Sequence, residues 1–135
     1  MDVKTAIRVT DAPGAIGPYS QAQVVRLHGG NRIVYTAGQV GLDPATGELV
    51  AGDVKAQTEQ AMKNLTAVLR GTGLALADVV KTTVFLVDMA DFQAMNQVYG
   101  TYFSDSPPAR STVAVAGLPR NARVEIEVVA VGRDL

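Results

Sequence analysis

Residues 53–87 read DVKAQTEQAMKNLTAVLRGTGLALADVVKTTVFLV, and a change of period inside them decides the fold. Val54, Thr58, Ala61, Met62, Leu65, Val68 and Leu69 recur at steps of three and four, which is one face of an amphipathic helix. Asp53 stands at its N-cap, and Gly71 or Gly73 supplies its stop. From Val79 to Val87 that period is lost. The residues there are apolar and β-branched, as in a buried strand.

The same alternation of types continues outward. Asp88 is placed to cap a second helix, with Asp91 favouring its positive end. Phe92, Met95, Tyr99, Tyr102 and Phe103 form its apolar stripe, and Pro107-Pro108 ends it. Strands follow at Arg110 to Ala116 and Arg123 to Gly132, joined by a turn around residues 117–121. Upstream, Ala22 to Leu27 and Arg32 to Ala37 flank Gly29-Gly30, a hairpin signal. A short strand over Thr5 to Thr10 precedes a Gly- and Pro-rich loop over residues 11–19, and a second loop spans residues 38–47. These elements predict an α+β fold with a mixed six-stranded sheet and two helices on one face. The other face, to which Val113, Val115 and the set Val124, Ile126 and Val128 are provisionally assigned, is left without a cover. A second copy of the chain is the expected cover, so a homo-oligomer is predicted.

Twelve basic and thirteen acidic residues leave a net charge of −1, without the basic excess of a nucleic-acid binder. The chain has no cysteine, which removes disulfides, thiolate metal sites and a cysteine nucleophile together. Its single histidine, His28, falls at a hairpin tip and supports neither a metal cluster nor a catalytic triad. No apolar run reaches the ~18 residues of a membrane span, and no signal peptide follows Met1, so no membrane association and a cytoplasmic location are expected. The sequon at Asn64 then lies in a cytosolic helix and carries no meaning.

Five positions invite a chemical reading. Arg110 opens a strand, and a guanidinium entering a sheet needs an anion, either a structural carboxylate or a ligand carboxylate held by two parallel hydrogen bonds. Asn96 interrupts an apolar stripe, where an amide without partners costs roughly 1–3 kcal/mol. It is either a core amide satisfied by backbone or a group aimed into a pocket. Glu125 and Glu127 alternate with Val124, Ile126 and Val128 and therefore share a face, with Arg123 expected beside them as a possible ion-pair partner. That face is either plainly solvated or the seat of a proton acceptor. Tyr19 follows Gly17-Pro18 in a constrained loop, where it either packs or aims its hydroxyl.

Taken together, these stretches resemble a known family. Residues 108–118, PARSTVAVAGL, followed by Val124-Glu125-Ile126, are similar to the signature of the Rid (YjgF-like) family. Residues 15–22 resemble its N-terminal loop, Thr36 to Gln39 its next loop, Val80 to Phe85 its central strand, and Asp91-Phe92 with Asn96 its second helix. The likeness runs from about Ile7 to Val131, so residues 1–135 are read as a single domain. It implies a chorismate-mutase-like fold and a homotrimer with sites between subunits. It also implies cofactor-free hydrolysis of 2-iminobutanoate and 2-iminopropanoate to 2-oxo acids and ammonia. By position, Arg110 would bind the substrate carboxylate and Glu125 would activate the attacking water. Tyr19 and Asn96 would line the pocket, while Gly38 and Thr112 would offer backbone contacts. Thr112 stands where many relatives carry cysteine, which excludes thiol chemistry there. Other members act on different enamines, such as aminoacrylate or aminomuconate. Some have been described as RNA-acting or chaperone-like, and the near-neutral charge counts against RNA.

Overall fold

The computed structural model describes residues 3–133; Met1, Asp2, Asp134 and Leu135, which belong to the expected domain, lie outside the described residues. The elements run β1 (Lys4–Ile7), β2 (Ala22–Arg26), β3 (Asn31–Thr36), β4 (Gln39–Val40), α1 (Val54–Thr72), β5 (Val79–Leu86), α2 (Phe92–Tyr102), β6 (Ala109–Ala114) and β7 (Val124–Arg133). The sheet order is β1-β2-β3-β7-β5-β6, with β4 alongside β7. β5 and β6 are parallel, joined through α2, and every other pair is antiparallel. This is the expected mixed sheet with one additional strand.

The added strand has only two residues, which is why the glycines around it conceal it. β7 is ten residues long, and β3 covers only its later part, from Val129 to Arg133. β4 covers Glu125 and Ile126 on the same side. Between them the chain steps out at Ala37-Gly38, and the Thr36 hydroxyl bridges the gap by accepting from the Val128 N–H at 3.0 Å. The strand is thus notched beside Glu125.

α1 starts and stops as its sequence requires, whereas α2 starts later than Asp88 and ends at Tyr102, before Pro107-Pro108 is reached. Asp53 accepts hydrogen bonds from the backbone of Lys55 and Ala56, and Gly73 closes α1 at φ +82°, the left-handed region that favours glycine. Asp88 instead caps a short 3-10 turn, Met89–Asp91, by accepting from the Ala90 N–H. α2 begins only after that turn, and Asp91, at its N-cap position, makes no side-chain cap bond. Asn64 is fully buried, donating to the carbonyls of Val40 and Leu42, and so pins α1 to the β4 segment.

The core lies between the helices and one sheet face. Met62, Leu65 and Leu69 of α1 and Met95 of α2 meet Val34, Val84, Leu86, Val124, Ile126 and Val128. Each such side chain contributes about 1.5–3 kcal/mol by leaving water. This corrects the provisional face assignment: Val124, Ile126 and Val128 face the helices. The open face carries Ile33 and Tyr35 of β3, Glu125, Glu127, Val129 and Val131 of β7, Phe85 of β5 and Val113 of β6, by the registers that align them. Period two tells which residues share a side, and only packing against the helices tells which side it is. Tyr35, Val113 and Val131 are exposed there at 49%, 42% and 40%, an apolar area with no cover from the described residues.

Candidate functional site

The first group of site residues forms between α2 and β6. Phe92, Asn96 and Tyr99 follow one another at helical spacing and share a stripe over the sheet. Beneath it, Arg110 pairs in register with buried Thr82, placing its side chain on the helix side. The guanidinium carbon lies 4.7 Å from the Tyr99 ring centre and 5.5 Å from that of Phe92. Tyr99 is held in turn by a 2.7 Å hydrogen bond between its hydroxyl and that of Thr82. Burial raises the Tyr99 phenol above its ordinary range, against smaller opposing effects of Thr82 and of the Arg110 charge.

No ion pair among the described residues includes Arg110. The carboxylate partner that a purely structural reading requires is therefore missing among the described residues. Two further polar atoms in the group are unsatisfied. The Asn96 Oδ1 and the Thr112 Oγ1 are both buried without a hydrogen-bond partner. Asn96 is thus not the fully satisfied core amide of the simpler reading. A cation without an ion-pair partner and a free hydroxyl suit a small anion, and the unsatisfied amide oxygen suits a hydrogen-bond donor carried by the same molecule.

The second group gathers around Glu125. Tyr19, Ala37, Gly38 and Glu125, with Ile16 and Pro119, line an open cavity of about 250 Å³. The N-terminal loop reaches this point because Gln21 clamps it. The Gln21 Oε1 accepts from the Val9 N–H at 2.6 Å, and its Nε2 donates to the Pro13 carbonyl at 2.8 Å and the Val9 carbonyl at 3.2 Å. The Tyr19 hydroxyl accepts from the Ile16 N–H at 3.2 Å, and the ring remains about half exposed. A larger cavity of about 570 Å³ adjoins along residues 6–8 and 14–21 and shares Tyr19.

Gly38 has a role here that sequence reading missed. A Cβ at this position would lie 2.6 Å from the Glu125 Cδ and 2.8 Å from its Cγ and Oε1. Only the bare backbone lets the carboxylate lie in the notch between β3 and β4. Burial in that notch, and secondarily the charge of Glu127, raise the Glu125 carboxyl above the ordinary carboxylate range. Ile16 and Pro119 were also unforeseen, since nothing in their type or spacing marks them.

The raised Glu125 carboxyl has a consequence for stability. The folded chain holds this proton more tightly than the unfolded chain does. The resulting contribution to folding is complete below the ordinary carboxylate pKa of ~4.3 and is lost as pH rises through the higher folded value. At neutral pH the ionised group therefore opposes folding. Glu125→Gln is expected to raise the Tm at pH 7 and to leave it nearly unchanged at pH 4. Melting curves at both values check this, and a lower Tm at pH 7 is the contrary result.

Arg123 does not join the glutamates as expected. It precedes the regular strand and turns instead to Asp91, with Nη2 to Oδ1 at 2.6 Å and Nε to Oδ2 at 3.1 Å. Among the described residues, no three His, Asp or Glu side chains gather as metal ligands would. No helix among the described residues is long and apolar enough to cross a membrane.

The two groups lie on opposite faces of the sheet. Arg110, Asn96 and Thr112 lie on the helix side, whereas Glu125 with Tyr19 and Gly38 lies on the open side. A single chain therefore does not bring Arg110 and Glu125 to one ligand.

A sequence family described as Endoribonuclease L-PSP matches residues 9–132. Protein DfrA of Myxococcus xanthus is 52% identical over 128 residues, covering 95% of each chain. The mouse 2-iminobutanoate/2-iminopropanoate deaminase is 51% identical over 129 residues, covering 96% of this chain and 92% of its own. Among solved structures, YyfA of Yersinia pestis, a protein of the Rid family, superposes with a TM-score of 0.85. It is 44% identical and covers 94% of this chain and 98% of that one.

Proposed function

From the premise that the chain belongs to the Endoribonuclease L-PSP family, which includes the Rid proteins, we propose that it is a deaminase hydrolysing 2-imino acids, 2-iminobutanoate and 2-iminopropanoate among them. The observation that carries this reading is Arg110, stacked on Tyr99 with no ion pair to any carboxylate among the described residues. Every 2-imino acid brings that carboxylate, which fits the fork of a guanidinium with two parallel hydrogen bonds. The name of the mouse relative supports the same substrate class.

Glu125 supplies the second part. Its half-buried carboxylate, beside Tyr19 and Gly38, takes a proton from a water molecule as the oxygen adds to the imine carbon. The C=N π pair moves to nitrogen. The tetrahedral carbinolamine then collapses: nitrogen gains the proton held by Glu125, and the hydroxyl proton passes through the freed Glu125 carboxylate to the same nitrogen as the C–N bond breaks and the carbonyl forms. Ammonia and a 2-oxo acid leave. An imine carbon is already electrophilic, so positioning and one base suffice. Because the Glu125 carboxyl titrates above the ordinary range, activity should fall on the acid side with a midpoint above ~4.3. A kcat/KM profile checks it, and an acid limb with its midpoint at or below ~4.3 is the contrary outcome.

The two groups meet only if another copy supplies one of them. We therefore read the functional unit as a homotrimer with each site between neighbours, closed over the apolar open face. Mixing variants tests this directly. Arg110→Ala and Glu125→Gln chains are each expected to be severely impaired alone. Co-refolded in equal amounts, they should regain about a quarter of the wild-type activity, since random pairing gives one intact site in about four. No recovery would place the site within one chain. Light scattering should give three times the chain mass.

Formation of 2-oxobutanoate from threonine and a dehydratase, with semicarbazide as the competing trap, tests the reaction itself. Unchanged semicarbazone formation on adding the protein overturns the reading. Assays on other enamines and on RNA then decide between the remaining activities.

A further inference from the structure

We infer that Asp91 and Arg123 are positioning residues that hold the two half-sites of each chain in a fixed relation. The inference rests on the deaminase reading only for its catalytic readout. Arg123 is the residue where four elements are tied. Its guanidinium makes the two-pronged ion pair with Asp91, at the N-terminus of α2. Its backbone N–H donates to the Gln57 Oε1 of α1 at 2.8 Å, and its carbonyl accepts from the Val87 N–H at the end of β5 at 3.3 Å. Two residues later along β7 comes Glu125. On the other side of the pair, Asp91 is followed at once by Phe92, then Asn96 and Tyr99, the stripe that seats Arg110.

The pair is two-pronged and buried on the Asp91 side, while the Arg123 side chain stays 44% exposed. Asp91 is buried, with 8% of its surface exposed, and makes no cap bond to its own helix. Its two oxygens are both committed to Arg123, which fixes direction as well as distance. Neither residue lines the cavity at Glu125 or touches Arg110. If each site draws one half from each of two neighbours, the angle between the halves within a chain sets the spacing across every seam.

The test uses Arg123→Lys, which keeps the charge but loses the fork. Its kcat should fall about tenfold with KM within about twofold, because small misplacements of reacting groups act on turnover. Adding Asp91→Glu, whose longer arm meets the lysine, should recover several-fold of that loss. Amide spectra of Arg123→Lys should shift at Asn96 and Gly38 together, a readout that needs no activity. Normal kcat per folded protein with only a lowered Tm overturns the inference, as do spectral changes confined to residues 88–95. A wild-type protein without imine hydrolysis would instead sink the deaminase reading, and the spectra alone would then decide the positioning role.

Discussion

Arg110→Ala should lower kcat/KM by about 10²-fold while the chain remains folded. Hydrogen bonds to a charged partner contribute ~1.5–3 kcal/mol, and loss of a two-pronged carboxylate grip therefore costs on the order of 3 kcal/mol, or about a hundredfold. The stability cost is much smaller. What Arg110 provides within its own chain is contact with the faces of Tyr99 and Phe92, worth about 0.5–1 kcal/mol at a partly exposed site. That corresponds to a Tm shift of about 2–5 °C. No carboxylate of the described residues is left orphaned by the change. Arg110→Lys keeps a charge without the fork and should fall between, with the defect mainly in KM. Steady-state kinetics beside a melting curve separate the outcomes. A variant that unfolds, or one that turns over normally, contradicts a ligand-binding arginine.

Gly38→Ala should be nearly as damaging, although it removes no functional group. The new methyl would sit 2.6 Å from the Glu125 carboxyl carbon, against a comfortable carbon–carbon separation of about 3.5–4.0 Å. The carboxylate must yield by about 1 Å, and a displacement of that size at a reacting group can cost about 10²-fold in kcat. Gly117→Ala is the matched control, because a Cβ there meets nothing within 4 Å. The expected pattern is a large kcat loss at residue 38, none at residue 117, and similar melting temperatures for both. Full activity in Gly38→Ala would show that Glu125 need not lie in the notch.

Much of this architecture is legible in local patterns. The three- and four-residue period from Val54 to Leu69, bounded by Asp53 and Gly73, is a helix in sequence and in structure. Gly29-Gly30 makes the expected hairpin, both residues at positive φ, with His28 exposed at its tip. Glu125 and Glu127 share a face, as alternation demands. Motif similarity marks Tyr19, Gly38, Asn96, Arg110, Thr112 and Glu125. The structure distributes these six into two coherent groups.

What sequence alone determined is therefore most of the elements, both ends of α1 and the residues that share a side, because caps and periods act over a few neighbours. Tertiary structure decided the rest. It turned Val124, Ile126 and Val128 toward the helices, drew Arg123 away from the glutamates to Asp91, formed β4 from two residues between glycines, and set Arg110 and Glu125 on opposite faces. Each of these depends on which strand lies beside which and what packs above it. Such relations join residues far apart in the chain, and no local period encodes them.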